Sequence, residues 1–211
     1  MTDDAEVVPT SLEGGNSDHV DHMVEQWSVQ RPDLNMTGVH VIGRISRLAR
    51  HFEREIESSL EPYGLNGAGF YVLAALRRSG PPYRLSPTQL YSSLLVSSGT
   101  MTNRLERLKA GGLIMRVPDP NDGRSSLVAL TPRGRRLIDR AMDGHTANEI
   151  AMLAGLCPDD LSKLAVHLRG LLLILGDRPD EVVRASNSRP RPVAKPAGWP
   201  PGRHESHRSR R

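Results

Sequence analysis

Several features that would place this chain in other protein classes are scarce or missing. The sequence holds one cysteine, no apolar run approaching the roughly 18 residues that a membrane span requires, and no basic and apolar leader. Neither secretion nor membrane insertion is therefore indicated. We expect the protein to act in the cytoplasm.

Motifs for catalysis and for metal binding are also missing. There is no glycine-rich phosphate loop and no pair of carboxylates at a catalytic spacing. His19 and His22 fall on one helical face, but no cysteine or carboxylate stands at a ligand spacing from them. We expect no enzyme, no metal site and no cofactor.

Charge is distributed unevenly along the chain. The total of 28 Lys and Arg against 24 Asp and Glu gives only +4, yet residues 1–25 contain no Lys or Arg and the end of the chain is basic. We expect an acidic, disordered N-terminus over residues 1–17 and a basic, Pro- and Arg-rich disordered tail over residues 184–211. The tail is either a non-specific DNA clamp or a solvated extension.

The most informative stretch begins with two short helices. Ser86, Pro87 and Gln89 are three agreeing signals for a helix that begins at Pro87. The first helix ends before Ser97 and Ser98, which can cap the next one. A second helix then carries apolar residues at spacings of four and three. Two helices joined by so short a turn predict a helix-turn-helix.

The second helix has a polar face opposite its apolar stripe. The stripe of Met101, Leu105 and Leu108 must be buried. The opposite side chains can bind phosphates and purine edges in a major groove. The predicted DNA-binding residues are Ser97, Ser98, Thr100, Thr102, Asn103, Arg104, Arg107 and, from the next element, Arg124.

A hairpin follows this helix. Residues 113–117 alternate as a strand, residues 118–123 have turn chemistry, and residues 126–130 form the returning strand. Arg124 lies near the predicted tip, where a guanidinium suits a minor groove. Asp122 is predicted to brace that arginine or to cap the turn, since phosphates would repel its carboxylate. Helix, helix and hairpin in this order predict a winged helix.

The chain resembles the MarR family of transcription regulators. The resemblance rests on Asp122-Gly123-Arg124, then Leu130-Thr131 and Gly134, which match the family's D-x-R-x5-L-T-x-x-G wing pattern, and on SSGTMTNRLERL before them. It covers about residues 36–176 and implies a winged helix-turn-helix lobe over residues 63–130. The fold class is mainly α with a small β-hairpin wing.

The remaining helices predict a dimer. Residues 36–62 and 131–176 are assigned as dimerisation helices, because they leave more apolar face than one monomer covers. An intertwined helical homodimer would bring two reading helices about one turn of DNA apart, so the operator should be an inverted repeat. The family resemblance implies the same arrangement and a ligand-responsive repressor.

A finer resemblance concerns the signal that the protein senses. Residues 18–35 resemble the extra N-terminal helix of the PecS-like, urate-responsive branch of the family. Trp27, Arg104 and Arg116 match the branch's ligand-site positions, whereas Tyr71 stands where the branch has an aspartate. An indole and two guanidiniums suit a small aromatic or anionic effector. In the alternative, Trp27 is a packing anchor and both arginines bind phosphates or carboxylates.

Two other functions stay open at this point. Cys157 suggests a redox-sensing regulator, although no nearby residue would obviously activate its thiol. The basic tail suggests an architectural protein that coats DNA without sensing a ligand. A coating protein would bind every duplex similarly, whereas an operator-reading dimer would prefer one inverted repeat.

Overall fold

The structure is a computed structural model that describes residues 17–94, 98–120 and 122–177. The side chains of residues 98–100, 123 and 124 lie outside this description. The predictions for residues 1–16, for Ser97 and for the tail 184–211 therefore fall outside it as well. The described residues divide into two compact units, residues 17–70 with 139–151 and residues 71–138 with 152–177.

Helices make up most of the described residues, with one small antiparallel sheet. The elements in chain order are α1 (His19–Gln30), α2 (Thr37–Leu60), a short 3-10 helix (Glu61–Tyr63), α3 (Gly67–Arg78), β1 (Arg84–Leu85), α4 (Pro87–Leu94), α5 (Ser98–Ala110), β2 (Ile114–Asp119), β3 (Asp122–Leu130), α6 (Pro132–Met152) and α7 (Pro158–Ile174). The predicted mainly helical fold with a β-hairpin wing is confirmed.

The first unit is built on the packing of α1 against α2. Asp18 caps α1, since its Oδ1 accepts hydrogen bonds from the amides of Val20 and Asp21 at 2.7 and 3.1 Å. Val20 and Val24 are buried. Gly43 of α2 lies against Val20, so close that an added Cβ would meet the valine Cγ1 at 3.2 Å. The glycine thereby lets the two helices approach closely.

In the second unit, β3 is the central strand of the sheet and pairs with both β1 and β2. The buried apolar side chains of this unit come from α3, α4, α5, the strands and the start of α6: Val72, Leu73, Ala75, Leu76, Leu90, Met101, Leu105, Leu108, Leu113, Ile114, Val128, Ala129, Leu130 and Ile138. This core supports the helix-turn-helix and the wing.

Two predicted element boundaries were wrong. Strand pairing continues to Asp119 in β2 and resumes at Asp122 in β3, so Pro118 and Gly123 belong to strands and not to the turn. The third strand, β1, was not predicted at all, because it is two residues long and is held by distant partners.

Candidate nucleic-acid interface

Helix α4 begins at Pro87 as predicted, and a reciprocal cap fixes that start. The backbone amide of Ser86 donates to Oε1 of Gln89 at 2.8 Å, and the amide of Gln89 donates to Oγ of Ser86 at 3.2 Å. Leu90 on the inner face of α4 is fully buried. The first helix of the helix-turn-helix is therefore held at its N-terminus and on its inner face.

Helix α5 divides into a buried and an exposed face. Met101, Leu105 and Leu108 are 0%, 3% and 7% exposed, which confirms the predicted apolar stripe. Thr102, Asn103 and Arg107 are exposed, whereas Arg104 is half-buried. The exposed side chains are a hydroxyl, an amide and a guanidinium, which are the groups that bind phosphates and base edges. The side chains of Ser98 and Thr100 lie outside the described part.

The junction after α5 explains the L-T-x-x-G motif. The Thr131 hydroxyl lies 2.8 and 3.2 Å from the carbonyl oxygens of Gly112 and Leu113, and it accepts the Gly134 amide at 3.0 Å. A Cβ at Gly134 would collide with the Leu113 carbonyl oxygen. Gly112 has a φ of +66°, a conformation that favours glycine. The motif thus fixes the end of α5 against the start of α6.

Two arrangements brace the wing. Arg116 of β2 donates from Nη1 to the hydroxyl of Ser126 at 3.2 Å, and its Nη2 lies 3.9 Å from a carboxylate oxygen of Glu106 on α5. Nearer the tip, the Ser125 hydroxyl lies 3.3 Å from Oδ2 of Asp119 and 3.2 Å from the carbonyl oxygen of Asp122. Sequence reasoning missed Ser125. The predicted pairing of Asp122 with Arg124 stays a prediction, since the Arg124 side chain lies outside the description.

Sequence reasoning also missed Tyr83, which lies just before β1. The guanidinium carbons of Arg77 and Arg135 lie 5.1 and 5.0 Å from the centre of its ring. Tyr83 has a φ of +58°, which is unusual for a residue other than glycine. Its carbonyl accepts the amide of Leu130 at 3.1 Å, so it connects the segment before β1 to the end of β3.

The predicted ligand residues fall in both units. Trp27 lies on α1 in the first unit and is 47% exposed. Tyr71, Arg104 and Arg116 belong to the second unit, where Tyr71 is 40% exposed and Arg116 contacts the helix that carries Arg104. A shared ligand site for the four stays a prediction. Cys157 is exposed ahead of α7, with its Sγ 3.1 Å from Oδ2 of Asp160.

Comparison with known proteins decides the family. A MarR family model matches residues 63–125, which include the helix-turn-helix and most of the wing. The regulator PecS of Dickeya dadantii is 37% identical over 153 residues, which cover 72% of this chain and 90% of PecS. The chain belongs to the MarR family of transcription regulators. The resemblance identified from the wing motif is therefore confirmed.

Solved MarR structures agree with this assignment. A single-site mutant of Escherichia coli MarR, complexed with operator DNA, is 26% identical with a TM-score of 0.58 over 65% of this chain and 97% of that one. Bordetella bronchiseptica BpsR, whose DNA binding is regulated by 6-hydroxynicotinic acid, is 27% identical with a TM-score of 0.56 over 62% of this chain and 91% of that one. These relatives are DNA-binding regulators and not enzymes. Within the described residues, no helix is long and apolar enough to cross a membrane.

Proposed function

We propose that this MarR-family protein is a ligand-responsive repressor that binds an inverted-repeat operator as a homodimer. The observation that carries the proposal is the division of α5, with Met101, Leu105 and Leu108 buried and Asn103 and Arg107 exposed. A helix anchored on one side and polar on the other can enter a major groove without losing its own packing.

The proposed DNA contacts come from α5, from the turn before it and from the wing. On α5, Asn103 has the amide that recognises adenine, and Arg107 can bind a phosphate or a guanine. The wing residue Arg124 would enter the neighbouring minor groove. The full proposed set is Ser97, Ser98, Thr100, Thr102, Asn103, Arg104, Arg107 and Arg124, with Asp122 as a residue that braces the wing.

A mobility-shift titration tests this proposal. The purified protein is titrated on the intergenic DNA upstream of its own gene and on a scrambled duplex, both at about 150 mM salt. We expect Asn103→Ala to weaken specific binding by about 1–3 kcal/mol and to leave non-specific binding nearly unchanged. Arg140→Ala, an exposed change on α6, is the control for a general loss of affinity. Equal binding of the wild-type protein to both duplexes would contradict operator recognition.

The proposed homodimer is supported by the surface of α7. Leu164, Val166, Leu168, Leu172 and Leu173 are between 38% and 58% exposed in the single chain. Leaving so much apolar surface in water is unfavourable, and a second copy of the chain would cover it. A two-fold axis would then present two α5 helices to two half-sites about one turn of DNA apart.

The proposed effector is a small aromatic or anionic molecule bound by Trp27, Tyr71, Arg104 and Arg116. The exposed indole and phenol offer flat stacking faces, and the guanidiniums can form bidentate hydrogen bonds to an anion. Because Arg104 lies on the same helix as the proposed DNA contacts, a ligand bound there would compete with DNA or displace the helix.

The effector proposal is tested by repeating the mobility-shift titration in the presence of urate and of 6-hydroxynicotinate. We expect Trp27→Ala to bind DNA normally and to lose most of the response to the effector. Tyr71→Asp introduces the carboxylate that the branch has at this position, and we expect it to increase the response to urate. A Trp27→Ala protein that still responds fully would overturn the proposed ligand site.

A further inference from the structure

Helix α2 carries a row of basic side chains that the proposed function does not use. Arg47, Arg50, His51 and Arg54 line an open groove of about 400 Å³, and Glu53 is the one acidic residue among the side chains lining it. Among the described residues, neither Arg47 nor Arg50 has a hydrogen-bond or ion-pair partner, and Arg54 donates only to His51 Nδ1, at 2.9 Å. We call these four residues with Arg44 the cationic stripe.

The N-terminal end of α1 already lies at one end of the stripe. Arg44 donates from Nε to Oδ2 of Asp18 at 2.8 Å and from Nη2 to Oδ1 of Asp21 at 2.6 Å. At 100° per residue the five members of the stripe fall within an arc of about 120°. Gly43, against which Val20 of α1 packs, falls inside the same arc. The face of α2 that binds α1 therefore continues as the cationic stripe.

The orientation of α1 directs the segment that precedes it toward the cationic stripe. Helix α1 ends at Gln30 and is joined to the start of α2 at Thr37, whereas its beginning at Asp18 contacts Arg44. The two helices are therefore antiparallel, and the chain before Asp18 leaves α1 toward the later residues of α2. Those later residues are the rest of the stripe.

The segment that precedes Asp18 has the composition to cover the stripe. Residues 1–17 contain Asp3, Asp4, Glu6 and Glu13 and no Lys or Arg. The stripe extends about 15 Å along the helix axis from Arg44 to Arg54. The five residues from Asp18 to Glu13 span up to about 16 Å when extended. The acidic side chains can therefore reach every basic residue of the groove.

We propose that the acidic N-terminal segment, residues 1–17, docks along the cationic stripe of α2 and continues the ionic contacts that Asp18 and Asp21 make with Arg44. The segment neutralises a row of arginines that would otherwise repel one another, and it keeps other polyanions, DNA included, out of the groove. A second copy of α2 is the poorer occupant, because it would bring like charges together.

Disulfide trapping in the full chain tests the docking. In a Cys157→Ser background, Ser11→Cys is combined either with His51→Cys, inside the stripe, or with Ala49→Cys, an exposed position on the other side of α2. Each rate of disulfide formation is divided by the rate at which the α2 cysteine reacts with a small neutral maleimide. A bond forms only where the two residues come within about 7 Å.

We expect the bond to residue 51 to form on the order of tenfold faster than the bond to residue 49, the summed effect of several weak exposed ion pairs. The preference should disappear in the Asp3→Asn, Asp4→Asn, Glu6→Gln, Glu13→Gln variant. It should also disappear at 1 M salt, where the screening length falls to about 3 Å. Equal rates in the parent protein, a preference that survives charge removal, or bonds that form only between chains would each overturn the proposal.

Discussion

The outer surface of α5 is polar, whereas the outer surface of α7 is largely apolar. Helix α5 buries its leucines and exposes Thr102, Asn103 and Arg107. None of the residues of α7 is buried, and several of its leucines lie in solvent, with Leu168 and Leu172 exposed by 38% and 49%. A polar surface suits a hydrated partner such as DNA, whereas an apolar surface suits a protein partner. Each helix thus indicates the class of partner that it needs.

The strongest test of this comparison makes the surface of α7 polar. Leu168→Asp combined with Leu172→Asp removes two side chains that would each contribute at least about 1.5 kcal/mol when buried by a partner. We expect the dimer dissociation constant to rise about 100-fold or more, and operator binding to fall with it. Sedimentation equilibrium measures the dissociation constant.

His167→Asp is the control for this pair. His167 is exposed about 120° around α7 from the midpoint of Leu168 and Leu172, on the polar side that carries Asp159 and Lys163. The added charge there should leave the dimer intact. If both variants dissociate equally, added charge and not lost apolar surface is responsible, and the contrast between the two helices fails as a guide to their partners.

The second test compares Gly134, in the first turn of α6, with a glycine on α7. A Cβ at Gly134 would collide with the carbonyl of Leu113, a backbone atom that cannot move without shifting the junction. We expect Gly134→Ala to lower the free energy of unfolding by about 2–3 kcal/mol. Urea denaturation followed by circular dichroism measures the change.

Gly170 of α7 is the matched position, because a Cβ there meets no atom within 4 Å in the single chain. Alanine is a better helix former than glycine by about 1 kcal/mol. Gly170→Ala should therefore stabilise an unpaired α7. A loss of stability on this change would mean that the position is tightly packed in the assembled protein, which sharpens the map of the dimer surface.

Local signals in the sequence were enough to predict much of the reading lobe. Ser86, Pro87 and Gln89 specify a helix start within four residues, and the spacing of Met101, Leu105 and Leu108 specifies the buried face of α5. Both predictions were confirmed, because neighbouring residues along the chain determine both features. The wing motif identified the family because its residues, too, lie close together along the chain.

Contacts between distant residues could not be predicted in this way. Strand β1 exists because Arg84 and Leu85 pair with Ala129 and Val128, more than 40 positions away. Arg44 contacts Asp18 and Asp21 across 26 and 23 positions, and no local pattern selects those partners. The motif L-T-x-x-G was recognised as a family pattern, but only the structure shows that its glycine makes room for the Leu113 carbonyl.

A third test removes one charge from the polar face of α5. Arg107→Ala should weaken operator binding about tenfold and reduce the slope of log affinity against log salt by about one, because one phosphate contact is lost. Lys109→Ala removes a charge at an exposed position where Glu106 already lies 4.0 Å away, so its effect should be smaller. If the slope of log affinity against log salt fell equally in both variants, the polar face of α5 would act only through its total charge.

The smallest expected effect concerns α1, which is held by charge as well as by apolar packing. The hydrogen bond that Arg44 donates to Asp21 holds the pKa of this carboxyl group below its usual value of 3.8. A carboxylate whose pKa is lowered on docking stabilises the docked state above that usual value and loses its contribution as the pH falls through the lowered pKa. We expect α1 to stay docked from pH 7 to pH 5 and to loosen only below about pH 4.

The emission of Trp27 on α1 reports this loosening in a Trp199→Phe background, since a detached helix exposes the indole fully. Arg44→Met should give the loosened spectrum already at neutral pH. Asp33→Asn is the matched control, because Asp33 also has a lowered pKa but pairs with Arg31, only two positions away. That local pair joins no two helices, so its loss should leave the Trp27 spectrum unchanged. If Asp33→Asn shifts the spectrum as much as Arg44→Met does, the contacts of Arg44 do not hold α1.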